Sequence, residues 1–188
     1  LALTGRADDA VAAEVMGNIA AMESAVELAS QARRFELADL LSVHHRLMTS
    51  SPTPGMGGMV RTVQNWIGGS SYNPCRASFV PPPPEFLADL LGDLIEYLND
   101  DRHSPLVQAA LVHAQFETLH PFADGNGRTG RGLIHVVLRR RGLAPRFVPP
   151  VSLVLATWAG DYVDGLTAFR HLAGAESPER SAADVSWL

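Results

Sequence analysis

Cysteine is nearly missing from this chain. Cys75 is the only one among 188 residues, so no disulfide framework can form within it. A reducing compartment, taken as cytoplasmic, fits that usage. Long apolar runs are missing too: no stretch approaches the roughly 20 residues that a membrane-spanning helix needs. A basic excess is also lacking. Lys and Arg number 15 against 20 Asp and Glu, a net charge of −5, which argues against a general nucleic-acid or membrane-surface binder. No internal repeat and no second domain are visible. The chain opens with Leu1 rather than Met, so a fragment or trimmed chain is expected and a targeting segment is left open. What remains is ordinary for one globular domain with a proper core: 46% hydrophobic and 19% charged residues.

What is present is chiefly helical periodicity. A helix is predicted over about residues 10–32, with Val15, Ile19, Met22 and Val26 on one face, and a second over about 36–48, with Leu37, Leu40, Leu41 and Leu47 inward. His44 and His45 lie on the second helix. Neighbours on a helix point about 100° apart, so packing or hydrogen bonding suits them better than a shared metal. Residues 50–58 are loop by composition. Residues 59–80 lose the helical period. Trp66, Ile67, Tyr72, Phe79 and Val80 favour strands, broken by Gly-Gly-Ser-Ser and Asn-Pro, which predicts a short hairpin with residues 77–80 as one extended arm. Pro81 to Pro84 stop the ladder and space it from the next helix. That helix starts near Glu85 and carries a broad stripe of Phe86, Leu87, Leu90, Leu91, Leu94, Ile95 and Leu98. Residues 99–105 form a polar link. Pro149 and Pro150 open a further helical stretch, broken near Gly160, with Tyr162, Leu166 and Phe169 as the apolar face beyond it. Residues 177–188 read as the start of another helix. The expected class is all-α with one small β-hairpin.

One run differs from the rest: His120-Pro121-Phe122-Ala123-Asp124-Gly125-Asn126-Gly127-Arg128-Thr129-Gly130-Arg131. Leu106, Ala109, Ala110, Ala114 and Leu119 lead into it at helical spacing, with Phe116 beside them. Leu133, Ile134, Val137 and Leu138 follow, and Gly142 is placed like a C-cap. Arg139, Arg140 and Arg141 fall in the last turn, where cations complement the helix dipole. The run is therefore a helix–loop–helix elbow. The first turn of a helix has unpaired N–H groups and partial positive charge, so it attracts phosphate. Gly125 and Gly127 let an anion approach the backbone. Arg128 and Arg131, i and i+3, share a face and can fork onto phosphate oxygens. Asp124 is a hard oxygen ligand of the kind Mg²⁺ takes beside substrate phosphates. His120, with a reference pKa of about 6.5, can accept a proton near neutral pH. These groups together suit a nucleoside triphosphate and a base that activates its attacker.

The run matches the signature His-x-Phe-x-(Asp/Glu)-Gly-Asn-Gly-Arg-x-x-Arg of the Fic family at all eight defined positions. Gln64 to Ser71, Phe79 to Glu85 and His113 to Glu117 also resemble family segments, so the likeness covers most of residues 10–175. The resemblance implies one Fic domain over residues 1–188, with a Fido-fold helical core and a β-hairpin flap beside the motif. It implies transfer of AMP from ATP to a Ser, Thr or Tyr hydroxyl of a target protein. His120 would be the base, and Asp124 would hold Mg²⁺. Asn126, with the N–H groups of Gly125 to Gly127, would cradle the α-phosphate. Arg128 would hold the β- and γ-phosphates, and Arg131 would clamp the γ-phosphate. Gly130 would allow close packing, and Phe122 would anchor the loop. Ser78, Phe79 and Val80 would dock the target by strand addition. A Doc-like phosphotransferase departs at the second motif glycine, present here as Gly127. Removal of AMP needs a catalytic glutamate that the sequence does not place, and a non-catalytic module would not need His120. The family's inhibitory pattern, Ser/Thr-x-x-x-Glu-Gly/Asn, does not occur in residues 1–188. Its glutamate, which pairs with the residue matching Arg131, is expected upstream or from a partner, unless the chain is unregulated. An oligomer is left open.

Overall fold

Apolar side chains at spacings of three and four set the helices. The computed structural model describes residues 10–172 apart from positions 32, 50, 71 and 147; the helix expected at 177–188 lies outside the described residues. Among the described residues seven α-helices follow one another: α1 (Ala10–Gln31), α2 (Leu37–Met48), α3 (Leu87–Leu98), α4 (Pro105–Leu119), α5 (Asn126–Arg140), α6 (Val151–Thr157) and α7 (Ala159–Leu172). Leu40, Val43 and Leu47 of α2, Leu87, Leu91, Leu94 and Leu98 of α3, and Leu133, Val136 and Val137 of α5 are buried in one core. Ala25 and Val26 of α1 and Ala109, Val112 and Phe116 of α4 belong to the same core. Each fully buried Leu, Val or Phe side chain contributes about 1.5–3 kcal/mol.

α4 is the central element. It packs on α5, with α3 and α7 against its other sides, while α1 lies on α2 and α5. Pro105 opens it, where a missing N–H costs nothing. Buried Gln108 holds it to the end of α3, its Nε2 lying 3.1, 3.1 and 2.6 Å from the carbonyls of Tyr97, Leu98 and Asp100. α5 stops at a Schellman cap. Gly142 takes φ +73°, its N–H donates to the Arg139 carbonyl at 3.0 Å, and the Leu143 N–H donates to the Leu138 carbonyl at 2.9 Å.

Several expectations are adjusted. Leu37, read as inward, is 39% exposed, and Phe86, read as part of the α3 stripe, is 55% exposed. Both sit where a helix begins, beyond the edge of the core. On α1, Val26 is buried but Ile19 is exposed, and the side chain of Val15 lies outside the described ones. The break after α6 falls at Trp158 (φ −110°, ψ 48°), two residues before Gly160. The flap is smaller than a full hairpin. Its ladder is a single antiparallel bridge, Ile67 to Phe79, with hydrogen bonds of 2.8–3.3 Å shared among Ile67, Ser78 and Phe79. The prolines that follow have no N–H with which to extend it.

Candidate active site

The elbow places His120 as the C-cap of α4, in the left-handed region (φ 45°, ψ 56°), the one such non-glycine among the described residues. That conformation is strained for a residue with a Cβ and persists only when its surroundings hold it. They do. The His120 N–H donates to the Phe116 carbonyl at 2.9 Å. Its own carbonyl accepts from Arg61 Nε at 2.9 Å and Asn65 Nδ2 at 3.3 Å. Burial pushes the imidazole down to about 4; the Glu117 backbone carbonyl opposes this, and Arg61 and Arg170 add to it. At neutral pH the ring is therefore uncharged and able to take a proton.

After the cap the chain turns inward. Phe122 is fully buried between His44, stacked on it at 3.6 Å, and Phe116, at 6.0 Å. Asn126 closes the loop on itself. Its Oδ1 accepts from the Phe122 N–H at 2.9 Å, and its Nδ2 donates to the Phe122 carbonyl at 2.7 Å. Here the expected cradle is corrected. The Asn126 side chain is spent on the loop and 3% exposed, so its backbone and not its amide is left toward the cavity. The Gly125 N–H is also taken, by Asp124 Oδ1 at 2.6 Å. At the start of α5 the N–H groups of Asn126, Gly127 and Arg128, one position further on, have no partner among the described residues.

Gly125 is required twice over. It takes φ +79°, and a Cβ there would meet Met48 Sδ at 2.7 Å and His44 Nε2 at 3.1 Å. His44 accepts from the Gly58 N–H on Nδ1 and donates through Nε2 to the Asp124 carbonyl, both at 3.0 Å, so its neutral tautomer is fixed. Burial lowers its pKa. The packing or hydrogen-bonding role expected of His44 is thus to hold the cradle loop against α2. Gly130 faces away from the anion site, toward α4, where a Cβ would lie 2.5 Å from Glu117 Oε1.

A cavity of about 350 Å³ opens over the free N–H groups, lined by His120, Ala123, Asp124, Gly125, Asn126, Gly127, Arg128 and Arg131. Arg128 reaches back to α2, donating to the Leu47 carbonyl at 3.1 Å and lying 3.9 Å from Asp124 Oδ2. Thr53 donates to the same Oδ2 at 3.0 Å. No carboxylate among the described residues lies within ion-pair distance of Arg131, and its buried Nε has no partner. A second cavity of about 590 Å³ shares Arg128 and Arg131 and is walled by Ile19, Met22, His135 and Val151.

The flap borders the site through Arg170. That guanidinium lies 3.9 Å over the Phe79 ring and donates to the Glu117 carbonyl at 3.4 Å. Ser78 and Val80 are exposed, and neither the Ser78 carbonyl nor the Val80 N–H has a partner among the described residues.

Arg61 is the residue that reading the sequence missed. Buried, it donates to His120, Val63, Pro82 and Leu119 carbonyls at 2.9, 3.3, 2.6 and 3.4 Å, placing a cation on the last turn of α4. It lies in a stretch without periodicity, so nothing local marked it. Glu117, buried beside His120, carries no motif of its own in the sequence; its i−3 spacing from His120 is the signal that marks it.

The fold and site define an all-helical protein with a cavity over the unpartnered N–H groups of a helix N-terminus, a buried imidazole beside it and a small flap. The family model described as Fic/DOC family matches residues 34–138, and the chain belongs to that family. It is 31% identical over 141 residues to protein adenylyltransferase fic-1 of Caenorhabditis briggsae, covering 72% of this chain and 26% of that one. It is 34% identical over 139 residues to protein adenylyltransferase Fic of Drosophila virilis, covering 72% and 27%. This chain thus spans about a quarter of the length of these curated relatives. Among solved structures, a Fic family protein from Desulfovibrio desulfuricans G20 aligns with TM-score 0.68 and 29% identity over 86% of this chain and 46% of its own. A Fic-1 fragment from Caenorhabditis elegans aligns with TM-score 0.58 and 28% identity over 90% and 46%. No described helix is long and apolar enough to cross a membrane.

Proposed function

We propose that this chain transfers AMP from ATP to a hydroxyl side chain of a target protein and releases pyrophosphate. The observation that carries the reading is the open first turn of α5: three unpartnered N–H groups in a cavity rimmed by Asp124, Arg128, Arg131 and a neutral His120. The N–H groups of Asn126, Gly127 and Arg128 receive the α-phosphate and its developing charge. Arg128 and Arg131 take the outer phosphates. His120 accepts the proton of the target hydroxyl as that oxygen bonds to the α-phosphorus. The bond from the α-phosphorus to the bridging oxygen breaks, and its electron pair leaves with pyrophosphate.

Asp124 suits Mg²⁺ on the chemistry of its donors. No group of three His, Cys, Asp or Glu that could cage a metal occurs among the described residues, and Mg²⁺ commonly takes one carboxylate with substrate phosphates. When bound, the ion would neutralise phosphate charge; Asp124 would hold it once Thr53 yields.

The free Ser78 carbonyl and Val80 N–H suit an added strand of the target, which would set the register of its hydroxyl with little demand on sequence. Arg131, without a carboxylate among the described residues, suits an inhibitory glutamate supplied from elsewhere in the protein or by a partner.

Incubation with ATP labelled separately at the α- and γ-phosphates tests the reading. Transfer of the α-label to protein is expected. γ-Label on protein would mean phosphoryl transfer, and neither label would mean a module without turnover. Phe79→Pro should lower target labelling while ATP binding stays within about twofold of the parent; equal loss of both would remove the docking role.

A further inference from the structure

The buried side of His120 faces a carboxylate that the reaction as described does not use. Glu117 precedes His120 by three residues on α4, so the two share a helical face. Glu117 is 6% exposed, and its Oε2 lies 3.7 Å from His120 Nδ1. Neither His120 Nδ1 nor Glu117 Oε1 has a hydrogen-bond partner. Two orphaned polar atoms on adjoining groups are costly, and buried polar atoms are rarely left so. The terminal torsion of Glu117 is broad, and the 3.7 Å separation is just beyond hydrogen-bond range. The fold also makes room for this carboxylate: any side chain at Gly130 would collide with Oε1. Facing Glu117 are His113 and His120 from α4, Arg131 from α5, and Tyr162 and Arg170 from α7.

We propose that Glu117 is the positioning residue of His120: its carboxylate accepts the Nδ1–H, fixing the tautomer that leaves Nε2 open, and supports the imidazolium formed when the hydroxyl proton arrives. The proton stays on His120, and Glu117 takes part in no bond change. This inference rests on the reading of His120 as the base. Burial raises the Glu117 carboxyl to about 7, with Arg131 and Arg170 opposing, so ionisation of this group falls near neutral pH. An acid limb near neutrality in the rate profile is the consequence.

Glu117→Gln tests it in the folded chain, because the amide keeps the shape and loses the charge. Transfer of α-label should fall about 10–100-fold in kcat, the loss of one charge-assisted hydrogen bond. KM for ATP should stay within about twofold, and the acid limb should move to lower pH. An unchanged kcat and pH profile would overturn the proposal. Imidazole ¹⁵N NMR gives a readout that needs no target. The parent should hold His120 as the Nδ1–H tautomer and Glu117→Ala should mix the two. If Glu117→Ala keeps the single tautomer, the Glu117 backbone carbonyl is the sufficient acceptor and the proposal falls. His120→Ala separates the levels. If that variant retains transfer, the reading of the base itself fails. If it is inactive while Glu117→Gln behaves as the parent, the positioning role alone fails.

Discussion

The two ends of α5 make an instructive pair. Its C-terminal end is finished: Gly142 and Leu143 close the last carbonyls, Arg139 pairs with Glu27, Arg140 reaches Asn99, and Arg141 reaches Gln108 and the His103 carbonyl. Its N-terminal end is unfinished. Three N–H groups lack partners, Arg131 lacks a carboxylate among the described residues, and a cavity covers them. Both ends carry a glycine at positive φ and clustered arginines. The difference is satisfaction. Where the backbone ends are closed by acceptors and caps the residues are structure; where backbone donors converge on a cavity they suit the anion that the proposed function places there.

Breaking the chemistry at the open end should have the largest effect. His120→Ala should lower transfer by about 10²–10⁴ while ATP affinity, by calorimetry, stays within about twofold. Activity equal to the parent would remove His120 as base. Next comes the arginine pair. Arg131→Ala should weaken ATP binding roughly 10–100-fold with little change in melting temperature. Arg141→Ala should do the reverse, costing about 1–3 kcal/mol of stability and leaving ATP affinity alone. The same loss of affinity in both would erase the contrast.

The glycines sharpen it further. Gly142→Ala meets open space and should cost only the left-handed penalty of about 1–2 kcal/mol. Gly125→Ala adds a collision with Met48 Sδ, so it should unfold in less urea than Gly142→Ala.

The last contrast concerns pH and folding. Burial pushes His113, His120 and His135 each down to about 4, so their neutral forms are favoured in the fold. Their stabilisation is complete above the unfolded value of about 6.5 and is lost as pH falls toward 4. Glu117 acts oppositely. Burial raises it to about 7, so its stabilisation is complete below the unfolded value of about 4.5 and is lost as pH rises through 7. Three groups outweigh one, so melting temperature should fall between pH 6.5 and 4.5, and Glu117→Gln should steepen that fall. A melting temperature that rises over this window would contradict the burial of these histidines.

Much of this was legible in the sequence because it was periodic or contiguous. The bounds of α1 and α2, the Gly142 cap that ends α5 and the elbow all follow from local spacing. Long-range placement was not legible. Arg61 meets the end of α4 through hydrogen bonds spanning up to 59 residues, and His44 meets Asp124 across 80. The Asn126 amide could equally serve a ligand or its own loop; only the fold shows it spent on Phe122. Trp158 breaks its helix without a glycine or proline at that position, so no local signal marked the break two residues ahead of Gly160.

Titration of the ¹⁵N-labelled protein with ATP and Mg²⁺, followed by backbone amide shifts, tests the contrast most directly. The Asn126, Gly127 and Arg128 amides should move most, while Gly142 and Leu143 at the far end of the same helix stay in place. Shifts that leave those three amides untouched and gather elsewhere would mean that the open end of α5 is not where the triphosphate is held.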